Sequence, residues 1–407
     1  MRLLVVTPYL AVPPDFGGAS RIFHLTQRLS RHHELLTLSL IGPRDDIPRA
    51  EAALGRIVPV AAPATARMPP GSARRRAQLW SFLSPRSFQH RFYVHPALQA
   101  RLERLVATEG IDVVQLEFSQ MGLYQVPAGV PSVLDVHNVE HDVLRQAAAE
   151  GDLPRRLFNQ VEFRKFRREE VAAWRRATTC VATSAADAAV VERATDRPVA
   201  VVPNGVDLER VPRTPLDGTD PAALVFVGAM RYRPNAEAAR WFVEVILPEV
   251  RRALPEATLA LVGADPPEEV RALASVPGVT VTGTVPDIGP WLRGTGTVVV
   301  PLLAGGGTRL KILEAFAAGR PVVSTTVGAA GLDVRDGEHL LVADTPEAFA
   351  RALARLAAEP ALRQRLADAA FALVAARYQW SAIAGKLEAV YEGVGGRGVP
   401  AARDGTR

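Results

Sequence analysis

Short apolar runs alternate with amphipathic stretches along most of this chain. Leu3–Thr7, Leu35–Ile41, Val113–Leu116, Val133–Val136 and Cys180–Thr183 are continuous apolar runs of strand length. Between the first two, Ile22, Leu25 and Leu29 recur at helical spacing and predict a helix from about Ala19. Arg21, His24 and Arg28 form the polar stripe of that helix, which reads as a solvated face. The rhythm breaks at Pro203–Asp207, and Pro212–Pro221 reads as a polar linker. It then restarts. Strands are predicted at Leu224–Gly228, Thr258–Val262, Val279–Thr282, Thr297–Val300 and Pro321–Ser324. Helices are predicted at Asn235–Leu254, Leu310–Ala318, Pro346–Glu359, Leu362–Arg377 and Ser381–Tyr391. Buried strands alternating with helices predict an α/β fold with parallel sheets covered on both faces. The break predicts two such domains with a hinge near residues 204–222, and a cleft between them as the place for ligand.

Composition narrows the class. The 407 residues are 48% hydrophobic and 22% charged, as in ordinary globular proteins. No apolar run reaches the roughly 18 residues a membrane span needs. The N-terminus lacks the pattern of a signal peptide, so a cytoplasmic location is expected. A single cysteine, Cys180, excludes disulfide frameworks and cysteine-rich metal sites. The net charge of +5 is compatible with phosphorylated ligands, anionic lipid or nucleic acid. No nucleic-acid motif accompanies it.

Candidate chemistry concentrates at strand ends. Asp15-Phe-Gly-Gly-Ala19 precedes the first helix, so Gly17 and Gly18 let the backbone approach a ligand at a helix N-terminus. Asp135, His137, Asn138 and His141 cluster at the exit of a strand, the end that faces the crevice in α/β folds. The spacing of His137 and His141 alone does not make a metal site, and none is expected. Ala304-Gly-Gly-Gly-Thr-Arg-Leu-Lys-Ile-Leu-Glu314 carries the most information. The amides of Gly305, Gly306, Gly307 and Thr308 suit a diphosphate cradle. Arg309 and Lys311 bring positive charge to the same helix start, and Glu314 lies within reach of ribose hydroxyls. Phe226-Val-Gly-Ala-Met-Arg-Tyr-Arg233 adds Gly228 for close approach and Arg231 and Arg233 for phosphate charge. The stretch Arg74–Leu83, with Arg86, His90 and Arg91, mixes basic and aromatic residues, a pattern suited to anionic lipid.

With these motifs the chain resembles the retaining, GT-B-fold glycosyltransferases of family 4 over nearly its whole length. Val202-Pro-Asn-Gly-Val-Asp207, the Phe226–Gly228 strand end and Gly305–Gly319 with Pro321-Val-Val-Ser-Thr325 carry the resemblance. It implies two Rossmann-like domains facing across a cleft. The N-terminal acceptor domain would span 1–205, joined by a C-terminal helix at about 378–394 that crosses back to it. The donor domain would span 206–377, and 395–407 would be a disordered tail. The resemblance implies a sugar transfer from a nucleoside diphosphate sugar, expected to be a UDP- or GDP-sugar, to a hydroxyl, with retention and without metal or other cofactor. The acceptor is expected to be lipid-linked, with peripheral membrane contact. His137 would approach the donor sugar, and Arg309 and Lys311 would stabilise the leaving diphosphate. Glu314 would bind the ribose. Val285, in Gly283-Thr-Val-Pro-Asp287, would lie by the base. Gly17, Gly18, Gly228, Arg231 and Arg233 complete the donor site. Two departures stand out. The first glutamate of the family's usual pair falls on Gly306, and no lysine follows Gly228-Ala229. A sugar-nucleotide epimerase of the same fold and a non-catalytic sugar-nucleotide-binding protein are the alternative readings.

Overall fold

The computed structural model of the chain describes all residues except 15, 44, 62–79, 83, 149–152, 305–308 and 396–407. The expectations for Gly305–Thr308, for Arg74–Arg76 and for the tail from 396 therefore lie outside the described residues. Two compact units emerge, Met1–Pro203 with Ala384–Arg407, and Asn204–Ile383.

The first unit is built on seven parallel strands: β1 (Arg2–Thr7), β2 (Glu34–Ile41), β3 (Arg56–Ala61), β4 (Val113–Glu117), β5 (Ser132–Val136), β6 (Thr179–Ala182) and β7 (Ala200–Val201). Their order is β3-β2-β1-β4-β5-β6-β7. The order reverses between β1 and β4, which makes the carboxyl ends of those strands the topological switch point. β3, like the two-residue β7, is a strand the hydrophobic pattern does not predict. It carries Pro59, which an edge strand tolerates because one of its sides needs no ladder hydrogen bond. The core under the sheet includes Leu4, Val6, Leu36, Leu116, Leu134 and Trp174.

The second unit has six parallel strands: β8 (Ala223–Val227), β9 (Thr258–Val262), β10 (Val279–Gly283), β11 (Thr297–Val300), β12 (Val322–Ser324) and β13 (Leu341–Val342). The order β10-β9-β8-β11-β12-β13 places its switch point between β8 and β11. This is the two-sheet, Rossmann-like architecture expected from the sequence. The helix predicted as Asn235–Leu254 is interrupted. It runs Arg233–Trp241, widens to a π turn at Phe242–Ile246 and resumes at Leu247–Ala253. Pro248 has no N–H to continue the ladder, and the wider turn accommodates that loss. The final helix, Trp380–Gly395, starts in the second unit and belongs to the first from Ala384 onward.

The polar stripe of the first helix, Gly17–Leu29, is not solvated. Arg21 is fully buried and His24 nearly so. The reason is a partner far away in sequence. Asp135, the penultimate residue of β5, accepts from Arg21 Nε at 2.8 Å and Nη2 at 3.0 Å. Arg21 Nη1 donates to the Pro203 carbonyl at 3.0 Å. A guanidinium held in a bidentate pair can be buried where a lone cation cannot.

Candidate functional site

In the second unit, Gly228, Arg309, Lys311 and Glu314 lie together near the switch point, whereas Arg231 and Arg233 do not join them. The helix Leu310–Ala317 follows β11 and buries Ile312, Leu313 and Phe316, which leaves Lys311 and Glu314 on one face. It ends as a glycine-capped helix does. Gly319, at φ +74°, donates to Phe316, and Arg320 N–H donates to Ala315. Helical side chains lean toward the N-terminus, so Lys311 reaches back toward the end of β8. Its ammonium lies 2.7 Å from Asn235 Oδ1 and 4.4 Å above the Phe226 ring. A Cβ added to Gly228 would meet Asn235 Nδ2 at 2.8 Å and Lys311 Nζ at 2.9 Å. Gly228 thus permits a close approach, and the groups that approach are the protein's own. Gly263, at φ +154°, lies against the Gly228 carbonyl so tightly that a Cβ there would fall 1.8 Å from it.

The electrostatics of this cluster are unusual. Burial and neighbouring Arg309 push the Lys311 ammonium down to about 7. Burial pushes the Glu314 carboxyl up to about 7, against the pull of Lys311 and Arg210. Arg309 is 7% exposed at the head of the helix and donates to the Val327 carbonyl. Positive groups near a helix N-terminus oppose its dipole, so this is a place prepared for an anion. Arg231 and Arg233 are exposed and paired with Asp265 and Glu237. Val285 follows β10 and packs partly against the core.

In the first unit a second polar cluster occupies the carboxyl ends of β4 and β5. His137 Nε2 lies 2.7 Å from Glu117 Oε2, and its ring stacks on Phe118 at 3.7 Å. Glu117 also accepts from Gln115 Nε2 at 2.5 Å. Burial drives the Glu117 carboxyl up to about 7 and His137 down to about 3, so His137 is neutral at ordinary pH. Phe118 holds a left-handed backbone, φ +67°, a conformation that costs an aromatic residue energy and is common at functional sites. A Cβ on Gly18 would strike the Phe118 ring at 2.5 Å and the Tyr9 hydroxyl at 2.6 Å. Gly17 and Gly18 therefore open the first helix against these aromatic rings, with their amides at its N-terminus. Tyr391 of the final helix is fully buried, which raises its hydroxyl's pKa, and the nearby Glu117 and Asp135 charges raise it further.

Glu117, Asp135 and His137 are close enough to share a cation among the described residues. Arg21 already neutralises Asp135, so the donor set is spent on protein partners. His137 and His141, four positions apart, serve different carboxylates, because His141 Nδ1 lies 2.6 Å from Glu170. Sequence reasoning did not single out Glu117, Arg21 or Asn235. Glu117 carried a signal, since it closes a strand whose neighbour ends in Asp135 and His137.

The model of glycosyltransferase family 4 matches residues 17–210, and that of glycosyl transferases group 1 matches 221–359. The chain is 31% identical over 202 residues to a phosphatidyl-myo-inositol mannosyltransferase of Mycobacterium leprae, covering 47% of this chain and 53% of that protein. It is 35% identical over 133 residues to a D-inositol 3-phosphate glycosyltransferase of Streptomyces griseus, covering 31% and 28%. The chain spans about half the length of the first of these relatives. Among solved structures it is similar to a sucrose-phosphate synthase from Thermosynechococcus elongatus, with TM-score 0.70, 17% identity and coverage of 97% and 99%. It is also similar to HepE from Anabaena in complex with UDP, with TM-score 0.67, 14% identity and coverage of 97% and 100%. At these identities the structures establish the fold.

Proposed function

This chain belongs to the family 4, group 1 glycosyltransferases, and on that premise we propose that it transfers a sugar from a nucleoside diphosphate sugar to an acceptor hydroxyl with retention of configuration. The observation that carries the reading is the cluster of Lys311, Arg309 and Glu314 at the switch point of the second unit. Breaking the bond between the anomeric carbon and the diphosphate leaves negative charge on the phosphate oxygens. Preorganised cations with little water around them stabilise that charge without reorganising. Arg309 and Lys311 serve this role, and the charge they carry takes the place a metal holds in other sugar transfers. Glu314 accepts hydrogen bonds from ribose hydroxyls, which a partly buried carboxylate near a lysine is suited to do. In the first unit, neutral His137 and the Gly17 and Gly18 amides are the candidate ligand-contacting groups. A UDP- or GDP-sugar is the donor class, consistent with the neighbour that holds UDP. Thermal unfolding with UDP, GDP, ADP and dTDP, without added metal, tests the donor site, because a ligand that binds only the folded state raises the Tm by mass action. One nucleotide is expected to raise the Tm by several degrees, and Glu314→Ala to abolish the shift. If none of the four moves the Tm, the reading fails.

The acceptor belongs to a membrane surface in this proposal. Relatives named for phosphatidyl-myo-inositol support it, and so does one feature of the first unit. Trp80, Phe82 and Leu157 are 62%, 41% and 59% exposed. Phe82 packs edge-on against Phe158 at 5.4 Å, and buried Ser81, bonded to Glu162, anchors the turn that displays them. Exposed Arg86, Arg91 and Arg156 lie on the same segments. Apolar side chains beside cations suit an anionic interface. The protein is expected to float with phosphatidylglycerol vesicles, not with phosphatidylcholine ones, and Trp80→Ser with Phe82→Ser to weaken flotation at least fivefold. Equal flotation of variant and wild type would refute the surface. Among the described residues no helix is long and apolar enough to cross a membrane.

A further inference from the structure

We propose that Asn235 is a positioning residue for sugar transfer, holding the Lys311 ammonium beside the bare Cα of Gly228 while adding no negative charge of its own to compete with the diphosphate. The inference rests on the donor-site reading above and names a residue that neither the resemblance nor the family comparisons assign.

The geometry is over-determined. Asn235 is 7% exposed and opens the helix that follows β8. Its Nδ2 donates to the Ala229 carbonyl at 2.9 Å, which fixes the carboxamide so that Oδ1 faces Lys311 Nζ at 2.7 Å. The Phe226 ring supports the ammonium from below. Gly228 supplies the space, since a Cβ there would collide with both Asn235 and Lys311. Three residues, Asn235, Phe226 and Gly228, thus converge on one nitrogen.

The chemistry of the holder matters as much as its position. A carboxylate here would form an ion pair with Lys311 and compete with the ligand's phosphates. An amide oxygen accepts a hydrogen bond from the ammonium but carries no net charge. The cation stays oriented and remains available for an incoming anion. The lowered pKa of Lys311 accords with such an arrangement, because burial and Arg309 outweigh the one carboxylate named against it, Glu314. In the free protein the lysine is charged below about pH 7 and neutral above it. A bound diphosphate favours the charged form, so affinity falls as pH rises from 6.5 to 8.5, by at most about tenfold per unit.

The test is the affinity of UDP and GDP, measured by calorimetry from pH 6 to 9, for wild type, Asn235→Ala, Asn235→Asp and Lys311→Met. Wild type is expected to show a midpoint near pH 7 and proton uptake above it. Asn235→Ala should move the midpoint to lower pH and weaken binding about tenfold, because the charged lysine loses an acceptor. Asn235→Asp should move the midpoint upward, beyond pH 8, yet still bind more weakly than wild type at pH 6.5. If both Asn235 variants lower the Tm but leave the midpoint where it was, Asn235 is merely structural and the proposal is wrong. If Lys311→Met binds as wild type does at every pH, the donor-site reading falls first, and the proposal with it.

Discussion

Lys311→Met is expected to slow release of the nucleoside diphosphate from its sugar by about 100- to 1,000-fold, the loss typical of removing one preorganised donor from a charge-stabilising site. Methionine keeps the apolar stem over Phe226 and removes only the ammonium. Saturation with donor should recover little of the loss, because the charge on the leaving group is greatest in the transition state. The fold should survive. The folded-state pKa of Lys311 lies below its unfolded value, so the charged lysine costs stability below about pH 7, and the cost fades as pH rises toward the unfolded value. Removing the ammonium relieves that cost and leaves Asn235 without its donor. The Tm at pH 6.5 should accordingly stay within about 4 °C of wild type, on the order of 1 kcal/mol. Turnover within about threefold of wild type would make Lys311 a packing residue.

The largest loss of stability is expected at Arg21. Arg21→Met leaves Asp135 buried without its bidentate partner, at a cost of about 3–5 kcal/mol. Asp135 cannot turn to water, since it is fully buried, and its carboxyl is already raised by burial despite Arg21. The variant also releases the Pro203 carbonyl, where the chain leaves the first unit. Urea unfolding measures the loss. Adding Asp135→Leu to Arg21→Met should restore most of it, because apolar residues of similar volume replace a buried pair at little cost. A single variant that loses less than about 1 kcal/mol would mean that water reaches Asp135.

These two residues also mark how far the sequence could be read. Lys311 was visible because its signal is local: glycines, cations and a carboxylate within one strand-to-helix passage. The parallel strands were visible for the same reason, since an apolar run between turns announces itself. Arg21 was hidden because its meaning lies 114 positions away, in Asp135. At helical spacing with His24 and Arg28 it looks like any solvated arginine. Asn235 was hidden in the same way, looking like an ordinary residue after a helix-starting proline until Lys311, 76 positions on, reaches it. Gly18 and Gly228 were legible as places of close approach. What approaches them was not, because the rings of Tyr9 and Phe118 and the side chain of Asn235 come from other segments.

The last helix has a consequence for the order of synthesis. Leu387 and Tyr391 are fully buried, and Tyr391 lies by the Asp135 and Glu117 carboxyls of the first unit. Glu388 holds His32 at 2.8 Å. These residues follow every strand of both sheets in the chain. The first unit therefore cannot close over its charged interior when its own strands emerge. It must wait, with Arg21 and Asp135 under an open roof, until the entire second unit has been made. Synthesis of this helix, rather than the folding of either sheet, is what seals that interior.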